Sequence, residues 1–297
     1  MPKSIVFHSY KGGTGKTTLA ANYAALLARK GFRVFLLDLD VYAPSLQTYF
    51  EMEPDRWIND FLTGDTELND VIVDLTSIVI GNNYDNNSSS TSSSANGKLW
   101  LGFSNPKKEE IYKLEGGKQE KVQFLRRFIV MREQLFSNFK ADYVIVDTSP
   151  GIRYWSINAL AIADVLYLTL KSGDLDIEGT KKMVSEIYSS FTKFGAKPYL
   201  ILNKVAGYCV PHPSIQPIEH SSGTLSTSSI VVQQEQQNES SMDGLSRETG
   251  ISIISAMPCY CDIQFSKKEY LTVLRDPQHL FSKKIEDLAQ QSQIQML

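Results

Sequence analysis

The chain has 297 residues, of which 42% are hydrophobic and 21% are charged, an ordinary globular composition. This length suits one large α/β domain or two small ones. The formal net charge of -3, from 30 Lys and Arg against 33 Asp and Glu, excludes a strongly basic protein built to coat nucleic acid.

Short apolar runs alternate with amphipathic segments along the chain, and we interpret them as strands and helices. In one predicted helix, Val122, Leu125, Ile129, Phe136 and Phe139 form the apolar face at near-helical spacing. Apolar strands that alternate with helices predict a doubly wound α/β fold, in which a mostly parallel sheet carries helices on both faces. The predicted elements are, in chain order, the strand Ile5–His8, the helix Thr17–Lys30, the strands Val34–Asp38 and Trp100–Phe103, the helix Val122–Phe139, the strands Tyr143–Asp147 and Val165–Leu170, the helix Ile177–Phe194, the strands Tyr199–Asn203 and Ile251–Ala256, and a last helix from about Leu280 to Gln290.

Two polar segments interrupt this alternation. Residues 86–94, within a stretch of about 82–98, are all Asn, Ser or Thr, and residues 211–241 are rich in Pro, Ser, Thr and Gln. Neither segment can bury enough apolar surface to offset the entropy of ordering it. We expect both to be mobile insertions in one domain over residues 1–297, and a partner-binding role is the alternative.

A glycine-rich segment, Gly12–Thr18, lies between the first predicted strand and the first predicted helix. Its glycines let successive backbone N–H groups surround phosphate oxygens, and the helix N-terminus adds partial positive charge. Lys16 can neutralise the β- and γ-phosphates, and the hydroxyl of Thr17 suits Mg²⁺. The sequence therefore predicts a phosphate loop that binds ATP with Mg²⁺.

Lys11 is a departure from the standard phosphate loop, which has Gly at this first position. With this second lysine, the segment His8–Thr18 resembles the deviant Walker A loop of the MinD/ParA ATPases, and the MinD-like members most. In that family the extra lysine reaches across a nucleotide-sandwich dimer to the partner's phosphates. The resemblance therefore implies an ATP-dependent homodimer in which Lys11 and Lys16 act on phosphate charge.

Three further strand ends resemble the same family. Asp38 and Asp40 look like its first switch, which implies that Asp40 orients the attacking water and that Asp38 lies near Mg²⁺. Asp147 looks like the Walker B acid that holds a Mg²⁺-bound water, and Pro150 and Gly151 after it look like the turn of the second switch. Asn203 looks like the residue that hydrogen-bonds adenine. The resemblance thus implies catalytic roles for Lys11, Lys16 and Asp40, nucleotide contacts from Lys11, Gly12, Gly13, Thr14, Gly15, Lys16, Thr17, Thr18 and Asn203, and metal contacts from Thr17, Asp38 and Asp147.

By the same resemblance, the chain is an ATPase that hydrolyses ATP slowly to position or partition a cellular cargo, with an unidentified protein partner as activator. One alternative is a metallocluster carrier or metal-insertion ATPase that uses Cys259 and Cys261, although carriers space this pair as Cys-x-x-Cys. A second alternative is a DNA-binding partition ATPase, which the net charge does not favour. A regulatory module with negligible turnover is disfavoured by the presence of Asp40.

The remaining sequence features concern location. The three cysteines, Cys209, Cys259 and Cys261, make no disulfide framework, and no signal peptide or run of about 20 apolar residues is visible, so we expect a cytoplasmic protein. MinD proteins end in a basic amphipathic helix that lies on lipid. The tail Gln290–Leu297 has no Lys or Arg, so direct membrane binding is not expected.

Overall fold

The computed structural model describes residues 2–80, 96–115, 117–188, 195–205 and 243–295, with side chains up to residue 292. The predicted insertion at 211–241 and residues 82–95 of the other insertion lie outside the described residues. Lys98, at the predicted end of the first insertion, begins a strand. No helix within the described ranges is both long and apolar enough to cross a bilayer.

Within the described residues, eight strands form one sheet in the order β3-β4-β2-β5-β1-β6-β7-β8. All neighbouring pairs are parallel except β3 with β4. The predicted doubly wound, mostly parallel fold is confirmed, and β3 was missed because three residues are too few to show a pattern. The strands are β1 (Lys3–His8), β2 (Arg33–Leu39), β3 (Ile72–Asp74), β4 (Lys98–Gly102), β5 (Tyr143–Thr148), β6 (Val165–Leu170), β7 (Lys197–Val205) and β8 (Ile253–Pro258).

Helices cover both faces of the sheet, and a separate apolar core lies under each layer. Alternate side chains of β1 enter opposite cores: Ile5 and Phe7 pack on one face and Val6 on the other, as the pleat of a strand requires. The helices are α1 (Lys16–Arg29), α2 (Leu46–Phe50), α3 (Ile58–Thr63), α4 (Thr76–Ile80), α5 (Lys108–Glu115), α6 (Lys118–Ser137), α7 (Tyr154–Ala161), α8 (Asp174–Met183), α9 (243–249), α10 (Cys261–Gln264), α11 (Thr272–Arg275) and α12 (Leu280–Gln295), with a 3₁₀ turn at Leu68–Val71 and a π-helical turn at Val184–Tyr188.

The predicted apolar face of α6 was only partly right, because Phe136 and Phe139 pack half-buried against the core but the fully buried side of the helix is a different one. Val122 and Ile129 are 51% and 43% exposed, whereas the buried residues of this helix are Phe124, Phe128, Met131 and Leu135. Both sets follow helical spacing, because α6 carries apolar residues on two sides. Phe124 and Phe128 are larger than Val122 and Ile129 and lie on the core side, where Phe124 stacks on Trp155.

Two other helices differ from their predicted bounds. α8 begins at Asp174 and is α-helical only to Met183, after which the π-helical turn follows. α12 continues to Gln295, so the polar tail beyond Gln290 is helical as far as that residue. Ser292 is 2% exposed, and its hydroxyl is hydrogen-bonded to that of Tyr167, so this part of the tail belongs to the packed fold.

Candidate nucleotide site

The central strands bring the predicted acids to one edge of the sheet. β5 lies between β2 and β1, and its Asp147 is in register with Asp38 on β2 and with Phe7 on β1. The carboxyl ends of these strands therefore meet where α1 begins, at Lys16. This edge is where open α/β sheets place their ligands.

The phosphate loop has a backbone that requires glycine at Gly15. Its φ is +90°, and a Cβ there would lie 2.4 Å from Nδ2 of Asn203. The same Nδ2 donates a hydrogen bond to the carbonyl of Thr14 at 2.7 Å. Oδ1 of Asn203 accepts from the backbone N–H of Lys204 at 3.0 Å. The Asn203 side chain therefore stabilises the loop by a hydrogen bond. One N–H of its Nδ2 and one lone pair of its Oδ1 remain available to a base.

A cavity of about 500 Å³ lies above this loop. It brings together most of the predicted site residues, including Asp40. Thr14 is fully buried and is not among the residues that line the cavity. Of the described residues, the lining comprises Gly12, Gly13, Gly15, Lys16, Thr17, Thr18, Asp40, Tyr42, Ala43, Ser45, Ser149, Pro150, Arg153 and Lys204, so the half-buried Lys11 is outside it.

Two carboxylates lie buried beneath the cavity, and both are 1% exposed. Among the described residues, neither oxygen of Asp147 has a hydrogen-bond partner, and neither does Oδ2 of Asp38. Burial raises the pKa of Asp147 to about 7, while the nearby ammonium of Lys16 opposes that rise. Burial, followed by the charges of Asp147 and Asp40, also raises the pKa of Asp38 well above its ordinary value.

These groups suit a hard divalent cation. Carboxylate and hydroxyl oxygens are the protein ligands that Mg²⁺ takes, and a cation would compensate the carboxylate oxygens that lack a hydrogen-bond partner among the described residues. Thr17 lies above them, with its hydroxyl 3.4 Å from that of Ser45. Within the described part of the chain, no three His, Cys, Asp or Glu side chains could hold a metal by themselves. Mg²⁺ at a nucleotide site does not need such a group, because phosphates and waters supply most of its ligands.

Asp40 lies at the cavity surface rather than beneath it. Its Oδ1 accepts a hydrogen bond from the hydroxyl of Ser149 at 2.7 Å and one from the backbone N–H of Ala43 at 3.3 Å. Its own N–H donates to Oδ1 of Asp38 at 3.0 Å. Because Ser149 follows β5 and Asp40 follows β2, this hydrogen bond joins the two predicted switch segments.

Burial of Lys16 lowers its pKa, and the charges of Asp147 and Asp40 oppose this effect. Its side chain is only 6% exposed. Lys16 also lines the cavity, so a phosphate bound there would replace the solvation that burial has removed.

His8 is a buried residue of the site to which the sequence analysis gave no role. It is 1% exposed, and its Nδ1 lies 2.7 Å from the hydroxyl oxygen of Thr148. That hydroxyl donates to the carbonyl of Phe7 at 2.9 Å, so His8 must donate from Nδ1. Burial, followed by the charge of Lys16, lowers the pKa of His8 to about 3. A neutral imidazole thus joins the end of β1 to the end of β5.

A second, smaller cavity of about 100 Å³ adjoins the first, and both are lined by Gly15, Thr18 and Lys204. Its other lining residues include Asn203, Cys259 and Tyr260. Cys259 therefore lies in the cavity that Asn203 borders, and Cys261 is the first residue of α10.

Comparison with known proteins agrees with this geometry. Residues 5–220 match the CobQ/CobB/MinD/ParA nucleotide binding domain. The chain is 28% identical to a putative replication protein A from Rhizobium rhizogenes over 199 residues, which are 64% of this chain and 46% of that protein. It is 26% identical to the sporulation initiation inhibitor protein Soj of Bacillus subtilis over 192 residues, which are 63% of this chain and 65% of Soj. Each match thus spans less than two thirds of the relative's length.

Solved structures show the same fold. MinD from Pyrococcus horikoshii, solved with Mg-ADP, has a TM-score of 0.66 at 18% identity and covers 98% of this chain and 96% of its own. The MinC:MinD complex of Aquifex aeolicus gives a TM-score of 0.66 at 19% identity, covering 98% and 95%. The predicted resemblance is confirmed: since the family match extends over residues 5–220 of 297, the chain belongs to the CobQ/CobB/MinD/ParA family of nucleotide-binding domains.

Proposed function

We propose that this chain binds Mg·ATP, forms a nucleotide-sandwich homodimer and hydrolyses ATP slowly to position or partition a cellular cargo. The observation that carries the proposal is the pair of carboxylates at Asp38 and Asp147, which lie buried beneath the phosphate loop, with both oxygens of Asp147 and Oδ2 of Asp38 lacking a hydrogen-bond partner among the described residues. Such a pair destabilises the folded chain unless a cation compensates it, so it is a feature that ligand binding explains.

Each site residue has a role that its position supports. The loop amides and Lys16 hold phosphate oxygens, and Thr17 with Asp147 and Asp38 would hold Mg²⁺ through oxygen atoms or bound water. Bound Mg²⁺ would neutralise the charge that develops on the β- and γ-phosphates. Asp40 is fixed by Ser149 and exposed to the cavity, where its carboxylate can orient water for attack on the terminal phosphate.

The residue that supports the proposed dimer is Lys11. Its side chain is half-buried at the start of the loop and does not line its own subunit's cavity, as far as the described residues show. We assign it to the phosphates of the partner subunit. ADP presents less negative charge than ATP to such a lysine, so ATP binding favours the dimer and ADP the monomer.

The position of Cys259 bears on the metallocluster alternative. This thiol lines the smaller cavity beside Asn203, where the proposal places the base. The chain is 50% identical to an iron–sulfur cluster carrier protein of Aquifex aeolicus, but only over a segment of 52 residues, which is 18% of the chain. A cluster ligand inside a base pocket would compete with the nucleotide, so we favour the ATPase reading without a cluster.

Two substitutions test the proposal through binding and turnover measured separately. Lys16→Ala should weaken Mg·ATP binding by about tenfold or more, because it removes a charge-assisted contact from the phosphates. Asp40→Ala should bind Mg·ATP normally but lose turnover. Lys113→Ala, on the exposed side of α5, is the matched lysine control and should behave as wild type. The proposal fails if the wild-type chain binds no Mg·ATP, or if Asp40→Ala hydrolyses ATP at the wild-type rate.

Asp40→Ala also serves to find the cargo. Because this variant should hold ATP without turnover, it should accumulate in the state that binds partners. Proteins captured by Asp40→Ala with ATP, and not by Lys16→Ala, are the candidates for cargo and activator. Steeply salt-dependent binding of the ATP form to nonspecific DNA would instead favour a DNA partition function.

A further inference from the structure

Arg153 lies at the edge of the phosphate cavity and has no role in the proposed function. Its guanidinium carbon is 4.4 Å from the ring centroid of Tyr42, a cation–π geometry. Tyr42 follows Asp40 in the first switch segment, and Arg153 follows Ser149 in the second. Both side chains line the cavity that contains Lys16 and Asp40. The switch segments are therefore joined twice, by this stack and by the hydrogen bond between Ser149 and Asp40.

The two cavities show which end of a nucleotide Arg153 would meet. They share Gly15, Thr18 and Lys204, and the smaller one extends away from these residues to Asn203 and Cys259. A base in the smaller cavity places the first phosphates at the shared residues. The last phosphate then lies toward residues of the larger cavity that the smaller one lacks. Asp40, Ser149 and Arg153 belong to this set.

The backbone holds Arg153 in place relative to the phosphate loop. The N–H of Gly151 donates to the carbonyl of Ser9 at 2.8 Å, which ties the second switch to the start of the loop. The N–H of Arg153 donates to the carbonyl of Gly151 at 3.1 Å, and its carbonyl accepts from Ile157 in the first turn of α7 at 2.9 Å. These hydrogen bonds fix the backbone of Arg153 relative to the phosphate loop.

The chemistry of this side chain suits a terminal phosphate. A guanidinium is always charged, and its planar set of donors matches two phosphate oxygens at once. The Tyr42 ring restricts the side chain before ligand arrives, so less conformational entropy is lost on binding. Lys204, by contrast, lies at the boundary shared by both cavities, with its ammonium 3.2 Å from the carbonyl of Gly13. A cation there meets phosphates that ADP and ATP have in common.

We propose that Arg153 binds the terminal phosphate of ATP within its own subunit and makes the site distinguish ATP from ADP, with Tyr42 as its positioning residue. This inference rests on the proposed function, because it requires the nucleotide to occupy both cavities. It adds a determinant of specificity to the contacts that the phosphate loop itself makes.

The test is the ratio of the dissociation constants for Mg·ADP and a nonhydrolysable Mg·ATP analogue. It is measured in the Lys11→Ala background so that dimerisation does not contribute. Arg153→Ala should weaken the ATP analogue by about 10- to 100-fold and ADP by less than about twofold, as expected for loss of one charge-assisted contact. Arg153→Lys should lose less affinity for the ATP analogue than Arg153→Ala does, because lysine keeps the charge but not the planar donor pair. Tyr42→Ala should lower the ratio in the same direction, and Tyr42→Phe should preserve it.

Two controls separate this effect from a general loss of affinity or folding. Lys204→Ala should weaken both nucleotides to a similar extent, leaving the ratio unchanged. Arg275→Ala removes an arginine stacked at 4.5 Å on Tyr270, away from the phosphate cavity, and should change neither constant. Unchanged ADP binding in Arg153→Ala would show that the variant is folded.

The possible failures are distinguishable. If the Lys11→Ala chain binds ATP but adding Arg153→Ala leaves the ratio unchanged, or weakens both nucleotides equally, the inference about Arg153 is wrong and the proposed function stands. If the wild-type chain binds neither nucleotide, both proposals are overturned.

Discussion

Replacing Asp147 with Asn should stabilise the metal-free protein while removing its response to magnesium nucleotide. The carboxylate is 1% exposed and has no hydrogen-bond partner among the described residues. A pKa of about 7, against an ordinary value of 3.8, corresponds to a cost of about 4 kcal/mol for the ionised group in the folded state. An amide of the same shape removes that charge but leaves polar atoms unpaired, at a cost of about 1–3 kcal/mol. We therefore expect a net gain of about 1–3 kcal/mol.

The pH dependence of this gain follows from the direction of the shift. Above pH 7 the wild-type carboxyl is ionised in both states, so the folded state carries the full cost. As the pH falls from 7 toward 3.8, the folded state takes up a proton before the unfolded state does, and the cost disappears. The advantage of Asp147→Asn should thus be largest at pH 8 and shrink in acid.

The assay is urea unfolding at pH 8, with EDTA and then with Mg·ADP. Mg·ADP should stabilise the wild type by mass action and stabilise Asp147→Asn much less. Asp164→Asn is the matched control, since Asp164 accepts hydrogen bonds from the N–H of Ser4 at 2.7 Å and from Arg132 at 3.2 Å, and losing such partners should destabilise the fold. Lower stability of Asp147→Asn than of wild type in EDTA, or equal stabilisation of both by Mg·ADP, would show that Asp147 is not an uncompensated carboxylate of a metal site.

Three further predictions concern the neighbourhood of the site. His8 is neutral in the folded chain, so below pH 6.5 the unfolded state binds a proton that the folded state does not, and the free energy of unfolding falls by about 1.4 kcal/mol per pH unit toward pH 3. His8→Asn should remove this loss when unfolding is measured at pH 7 and at pH 5. An equal loss of stability in wild type and variant between these two pH values would contradict the prediction. Gly15→Ala should abolish nucleotide binding, because its Cβ would meet Asn203 at 2.4 Å and its φ is +90°; wild-type affinity in a binding titration would contradict this. Anaerobically purified protein should contain no stoichiometric iron or zinc by elemental analysis, and about one metal per subunit pair, lost in Cys259→Ser, would support the metallocluster alternative.

The sequence was sufficient to predict most of the sheet. Apolar runs such as Val165–Leu170 are fully buried strands, and that strand has the predicted bounds. Phosphate loops have a strict local pattern, so Lys16 and Thr17 could be placed without tertiary information. Asp147 followed because an acid near the carboxyl end of a buried strand must lie close to the sheet edge.

Features that depend on packing could not be read from the pattern. The choice between Val122 and Phe124 as the core side of α6 is made by contact with Trp155, which is distant in sequence. The bond from Asn203 to Thr14 joins residues far apart in the chain, so the support it gives the loop was invisible. His8 was visible as the last residue of a buried strand, but its hydrogen bond to Thr148 was not.

If ATP joins two copies of this chain through Lys11, the oligomeric state must depend on the nucleotide. It can be read from the mass in solution of Asp40→Ala, by size-exclusion chromatography with light scattering, because this variant should not consume its ATP. We expect a dimer with Mg·ATP, a monomer with Mg·ADP, and a monomer with either nucleotide once Lys11→Ala is added. A monomer of Asp40→Ala at saturating Mg·ATP, or a dimer that persists without Lys11, would contradict this expectation.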